Sequence, residues 1–92
     1  MLLESKSKQA QLIAAAAKIR LRIELDAVAE TLQGFATGTL SDGDPSFEEV
    51  YYWLGECLLA KGDKAKAREA FKSALAFNPD YGRAKDSLSK LR

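Results

Sequence analysis

The 92-residue chain has no histidine, one cysteine, two prolines and one tryptophan. Without histidine there is no Ser-His-Asp or Cys-His catalysis and no histidine-containing zinc site. Cys57 stands alone, so neither an internal disulfide nor a thiolate zinc site can form. The longest unbroken apolar run, Leu12 to Ala17, is six residues, against the roughly 20 that a membrane-spanning helix needs. Met1 to Lys8 carries Glu4 and further polar residues where a secretory leader would be apolar. A soluble, cytoplasmic protein is expected. Cofactor chemistry has no foothold either. Gly34, Gly38 and Gly43 are not followed by the Gly-Lys-Ser/Thr of a phosphate loop, and Asp42 with Asp44 falls short of a calcium loop. No catalytic, cofactor or metal residue is assigned, and the class expected is a non-enzymatic interaction module.

What is present is an ordinary globular composition, 47% hydrophobic and 29% charged, in a chain short enough to give one small domain with a marginal core. The net charge of +1 conceals a division along the chain. Residues 1–60 hold five basic against nine acidic side chains, and residues 61–92 hold nine against four. Such a division can steer an acidic partner, bring opposite ends of neighbouring copies together, or record nothing more than solvated helix faces.

Punctuation divides the chain into a long N-terminal helix over 1–37, a linker over 38–45 and a helical unit over 46–92. Gly38, Gly43 and Pro45, interleaved with Thr39, Ser41, Asp42 and Asp44, are loop chemistry. Ser46-Phe47-Glu48-Glu49 has the spacing of a capping box, with Asp44-Pro45 as an alternative start. The helix beginning there should end at Lys61-Gly62. Asp63 should cap a second helix, from Lys64 to about Phe77, which Asn78-Pro79 terminates. Asp80 can cap a third, with Ala84, Leu88 and Leu91 on one apolar face.

Tyr51, Leu54, Gly55, Leu58, Gly62-Asp63, Ala67, Phe71, Ala74 and Pro79 fall at spacings that resemble the tetratricopeptide repeat, a 34-residue helix-turn-helix unit, over residues 48–81. Gly55 and Ala67 are small where two antiparallel helices must cross closely, and Leu54, Leu58, Phe71 and Leu75 can fill the seam. The resemblance implies that the third helix caps the open apolar side. Counting one period back from Glu48 places Val28-Ala29 at the inter-helix turn, and neither residue interrupts a helix, so one repeat is expected rather than two.

Residues 4–35 are alanine-rich and lack proline, which favours a single long helix. Glu4 with Lys8, Arg20 with Glu24 and Arg22 with Asp26 have the spacing of supporting ion pairs. Leu12, Ile19 and Ile23 fall on one stripe, while Leu21, Leu25, Val28, Leu32 and Phe35 fall on nearly the opposite side. Such a rod would extend about 48 Å, against about 21 Å for a 14-residue repeat helix. The second stripe would then overhang its hairpin, and homo-oligomerisation through those five residues is expected. One signal conflicts: Lys18 to Asp26 alternates polar and apolar, the period of a half-buried strand. The alanine-rich flanks favour helix.

The resemblance further implies that the inner face of the repeat's first helix, comprising Glu49, Tyr52, Glu56 and Leu59 with Trp53 beside it, holds a peptide or a partner helix. Tyrosine and tryptophan are effective anchors, and the carboxylates would select a basic or amphipathic partner. The aromatics can equally be packing against the N-terminal helix. The lysines and asparagines with which some family members clamp a peptide carboxylate are missing at these positions. Cys57 reads as a small core residue. The expected function is a protein-interaction scaffold or adaptor. The alternative is weak nucleic-acid binding by the basic set Lys61, Lys64, Lys66, Arg68, Lys72, Arg83, Lys85, Lys90 and Arg92.

Overall fold

A computed structural model describes residues 7–41 and 43–91. Five helices account for most of them: α1 (Lys8–Leu21), α2 (Leu25–Thr37), α3 (Phe47–Ala60), α4 (Lys64–Phe77) and α5 (Gly82–Lys90). No strand occurs among the described residues, so the chain is all-α and the alternation over residues 18–26 is not a strand. Glu4 of the expected Glu4–Lys8 pair, Asp42 and Arg92 lie outside the described residues.

The single helix expected over 1–37 is corrected to a hairpin. The chain reverses at Arg22-Ile23-Glu24, where Arg22 (φ 58°) and Glu24 (φ 52°) are left-handed. Ile23 N–H donates to Lys18 O at 3.0 Å and Arg22 N–H to Ile19 O at 3.1 Å, the pair of bonds that closes a helix when the next residue turns left-handed. Burial explains the break. On a straight rod the two apolar stripes face opposite ways, and one hairpin can cover only one of them. Folding back brings Leu12, Ala15 and Ile19 of α1 and Val28 and Leu32 of α2 into one cluster with Leu54, Cys57 and Ala70. Each large aliphatic side chain buried there stabilises by about 1.5–3 kcal/mol, whereas a left-handed non-glycine residue costs about 1–2 kcal/mol. Burial wins. The alternating window marks the place where the buried face changes sides.

The expected ion pairs Arg20–Glu24 and Arg22–Asp26 do not form, because the helix they require is interrupted. Lys18 meets Glu24 at 2.8 Å across the turn instead, and Asp26 meets Lys61 at 2.7 Å. Both carboxyls are held below their ordinary values by the lysine hydrogen bond first and its charge second.

The second hairpin follows its sequence punctuation. Gly62 (φ 90°) supplies the left-handed residue after α3, with Asp63 N–H bonded to Leu58 O at 2.9 Å. The Asp63 carboxylate accepts from Lys66 N–H at 3.1 Å. Two other caps fail. Ser46 and Tyr81 precede α3 and α5 without a side-chain cap bond, so neither the Ser46–Glu49 box nor an Asp80 cap forms. Glu49 lines a surface hollow between helices, and Asp80 lies 3.9 Å from Lys85.

α1 and α2 start at Lys8 and Leu25, each 39 residues before α3 and α4, with helix lengths and a three-residue turn like those of the second hairpin. A count of 34 missed the first hairpin for one reason: nine residues join α2 to α3, where four join α4 to α5. α2 packs on α3 and α4 on α5, giving a stack with extents 47 × 28 × 19 Å.

Candidate functional site

α1, α3 and α5 are the first members of successive layers in this stack, and their side chains meet on one face. Tyr52 is the centre of that face. Its ring makes edge contacts with Trp53 (5.0 Å between centroids) and Tyr81 (5.9 Å), and the Arg83 guanidinium lies 5.9 Å over it. Ser87 Oγ donates to Glu56 Oε2 at 2.8 Å, fastening α5 to α3. Burial first, and Glu56 second, raise the Tyr52 phenol above its ordinary value. Burial and then Glu49 do the same to Tyr81. Both phenols are therefore neutral groups, able to donate a hydrogen bond, at physiological pH.

Two adjoining hollows occupy the groove between α1 and α3. One, of about 300 Å³, is lined by Ile13, Ala16, Ala17 and Arg20 of α1, Glu49 and Trp53 of α3, and Arg83 of α5. The other, of about 350 Å³, is lined by Ile19, Arg20, Arg22, Tyr52, Trp53, Glu56 and Leu59. All five residues expected at a partner surface, Glu49, Tyr52, Trp53, Glu56 and Leu59, thus stand on one groove. Trp53 is shared by both hollows and also packs against the core, so the packing reading and the surface reading describe different parts of the same side chain.

Sequence reasoning missed the other wall. Ile13 is 65% exposed beside Trp53, and Arg20 and Arg22 face the α3 carboxylates. The face is consequently of mixed charge, not acidic: Arg20, Arg22 and Arg83 surround Glu49 and Glu56. No local signal announced it: the 39-residue spacing that sets α1 alongside α3 exists only once the chain turns at residues 22–24.

The expected oligomerisation stripe is corrected. Val28 and Leu32 are buried, and Leu25 and Phe35 pack against the same core. Leu21 alone of the five is strongly exposed, at 69%. The stripe is consumed inside one chain because α2 has folded against α3.

Cys57 is buried, and its thiol donates to Leu25 O at 3.2 Å. Burial pushes the thiol up, away from the reactive thiolate. Five of the basic residues of the C-terminal third stand at three separate places. Lys61 is engaged by Asp26, Arg83 faces Tyr52, and Arg68, Lys72 and Lys85 stand between α4 and α5. Among the described residues no group of three or more Cys, Asp or Glu is placed to hold a metal ion, and no helix is long and apolar enough to cross a membrane.

The family model for the tetratricopeptide repeat matches residues 48–81, which run from the second residue of α3 to the residue before α5. No curated protein and no solved structure matches the chain. The geometry agrees with the match: two antiparallel 14-residue helices, Gly55 against Phe71 at their crossing, and Pro79 after the second helix. Residues 48–81 thus match the tetratricopeptide repeat in sequence and have its helix-turn-helix geometry.

Proposed function

We propose that the protein is a non-enzymatic interaction scaffold whose groove between α1 and α3, closed at one edge by α5, holds a peptide or helix of another protein. The observation that carries this reading is Ile13 beside Trp53: a large aliphatic side chain left 65% in water next to a tryptophan, on a floor of Ala16 and Ala17. Small residues at the floor allow a partner backbone to approach closely, and the aromatic supplies an anchor. The charges set orientation, since Glu49 and Glu56 favour basic side chains of the partner while Arg20, shared by both hollows, and Arg22 favour acidic ones.

A selection from a displayed peptide library on the intact chain tests the reading. Enriched peptides should bind the wild type, and binding should fall at least tenfold in Ile13→Glu, whose exposed position spares the core, and in the Tyr52→Ala, Glu56→Ala double variant. Absence of enrichment, or unchanged affinity in Ile13→Glu, would sink it. The alternative, phosphate-backbone binding by the C-terminal basic residues, predicts affinity for arbitrary oligonucleotides that survives at physiological salt. Lys61, paired with Asp26, and Arg83, over the Tyr52 ring, stand apart from Arg68, Lys72 and Lys85, which favours the scaffold.

A further inference from the structure

α1 pairs with α2 and α3 with α4, but α5 packs on α4 with no following helix beside it among the described residues. On that open flank runs a second groove, of about 330 Å³, separate from the α1–α3 groove. It is lined by Arg68, Lys72 and Leu75 of α4 and by Lys85, Leu88 and Ser89 of α5. The residues fall on one stripe of each helix, at i, i+4, i+7 on α4 and i, i+3, i+4 on α5. Two leucines form the floor, and every charged group in the wall is a cation.

We propose that this groove docks an acidic amphipathic helix of a partner protein, seated where a sixth helix of the stack would lie. The cations are weakly compensated within the chain. Lys72 meets Glu69, and Lys85 meets Asp80, only at 3.9 Å, and both carboxylates point into water at 74% and 98% exposure. Such pairs contribute little and give way readily to a better partner. Arg68 is held in place by its bond to Leu91 O at 3.3 Å, which leaves further guanidinium donors for a carboxylate. The nine residues of α5 span about 14 Å, so the occupant is a helix of two to three turns, with leucine-like side chains over Leu75 and Leu88 and glutamates or aspartates on its flanks. Among the described residues a second copy of this chain offers no such face: its exposed Ile13, Leu21 and Ile23 stand among arginines, and Phe77 is stacked on the Phe47 ring at the end of α4. A nucleic acid would gain nothing from the leucine floor, and no aromatic ring lines the groove for a base to stack on.

The test titrates the intact chain against a labelled 14-residue helical peptide with leucines at i, i+4 and i+7 and glutamates beside them, and against the same peptide with lysines replacing the glutamates. Saturable binding of the glutamate peptide is expected, weakening as salt rises. Lys72→Glu combined with Lys85→Glu, two exposed positions, should reduce that binding at least tenfold and transfer the preference to the lysine peptide. Ile13→Glu should leave it unchanged, which separates this groove from the α1–α3 groove. Equal binding of the two peptides by wild type, indifference to the double charge reversal, or displacement of the glutamate peptide by an unrelated oligonucleotide at physiological salt would overturn the proposal. So would concentration-dependent dimerisation abolished by the same double reversal.

Discussion

Gly55 lies against the ring of Phe71 where α3 crosses α4, so closely that a β-carbon on residue 55 would stand 2.5 Å from Phe71 Cε1. Phe71 is fully buried and cannot retreat toward solvent. The repeat's two helices owe their separation to the missing side chain.

Gly55→Ala should therefore destabilise the fold by about 1–3 kcal/mol, the usual cost of overpacking a dense core. Combining it with Phe71→Leu should cost less than the two single changes added together, because the smaller side chain yields the space the methyl needs. Urea unfolding measures both. A Gly55→Ala variant within about 0.5 kcal/mol of wild type would mean that the crossing is looser than described.

Arg22 distinguishes a hairpin from a rod by sign. In an uninterrupted helix, glycine at this position would destabilise by about 1 kcal/mol. At a left-handed φ of 58° it relieves strain, and the gain, less the extra freedom of the unfolded chain, leaves stability unchanged or raised by up to about 1 kcal/mol. Arg22→Val should lower it by at least about 1 kcal/mol, since a branched β-carbon resists that conformation. In thermal melts, Arg22→Gly melting below both wild type and Arg22→Val would restore the rod.

The Asp26–Lys61 pair ties the first hairpin's turn to the second's and predicts a pH window. The Asp26 carboxyl is lowered from 3.8 by the Lys61 hydrogen bond, so its contribution is present above the unfolded value and is lost as pH falls through the folded one. Lys61 is raised from 10.5 by the same contact, so its share is present below that value and is lost as pH rises through the folded one. Asp26→Asn should accordingly melt below wild type at neutral pH, with the difference vanishing in acid and shrinking in added salt. A difference that persisted unchanged at pH 2 would assign it to something other than this pair.

How much could be read along the chain differed between its halves. Over residues 48–81 most local signals and the tertiary outcome coincide: Gly62 turns left-handed, Asp63 caps, Asn78-Pro79 stops α4, and Gly55 and Ala67 are buried at the crossing, while Glu49 and Asp80 do not cap. The five residues expected at a partner surface, Glu49, Tyr52, Trp53, Glu56 and Leu59, fall on one groove because the helix carrying them was correct. The groove's opposite wall could not be placed in this way. Ile13, Arg20 and Arg22 belong to a helix whose direction depends on a turn with no glycine, asparagine or proline in it. The capping box failed for a similar reason, because Ser46 and Glu49 have the right spacing but Glu49 is drawn into the groove.

By itself the sequence determined that the chain is helical, that a repeat occupies residues 48–81, and that two apolar stripes flank residues 12–35, because each of these rests on periodicity and turn chemistry within a few residues. Only the tertiary structure decided that α1 and α2 fold back, that the stripe from Leu25 to Phe35 is spent inside the chain, and that arginines face the α3 carboxylates. Arg22 and Glu24 carry no local preference for a left-handed turn. They adopt it because a core tens of residues away has room for both stripes on one side.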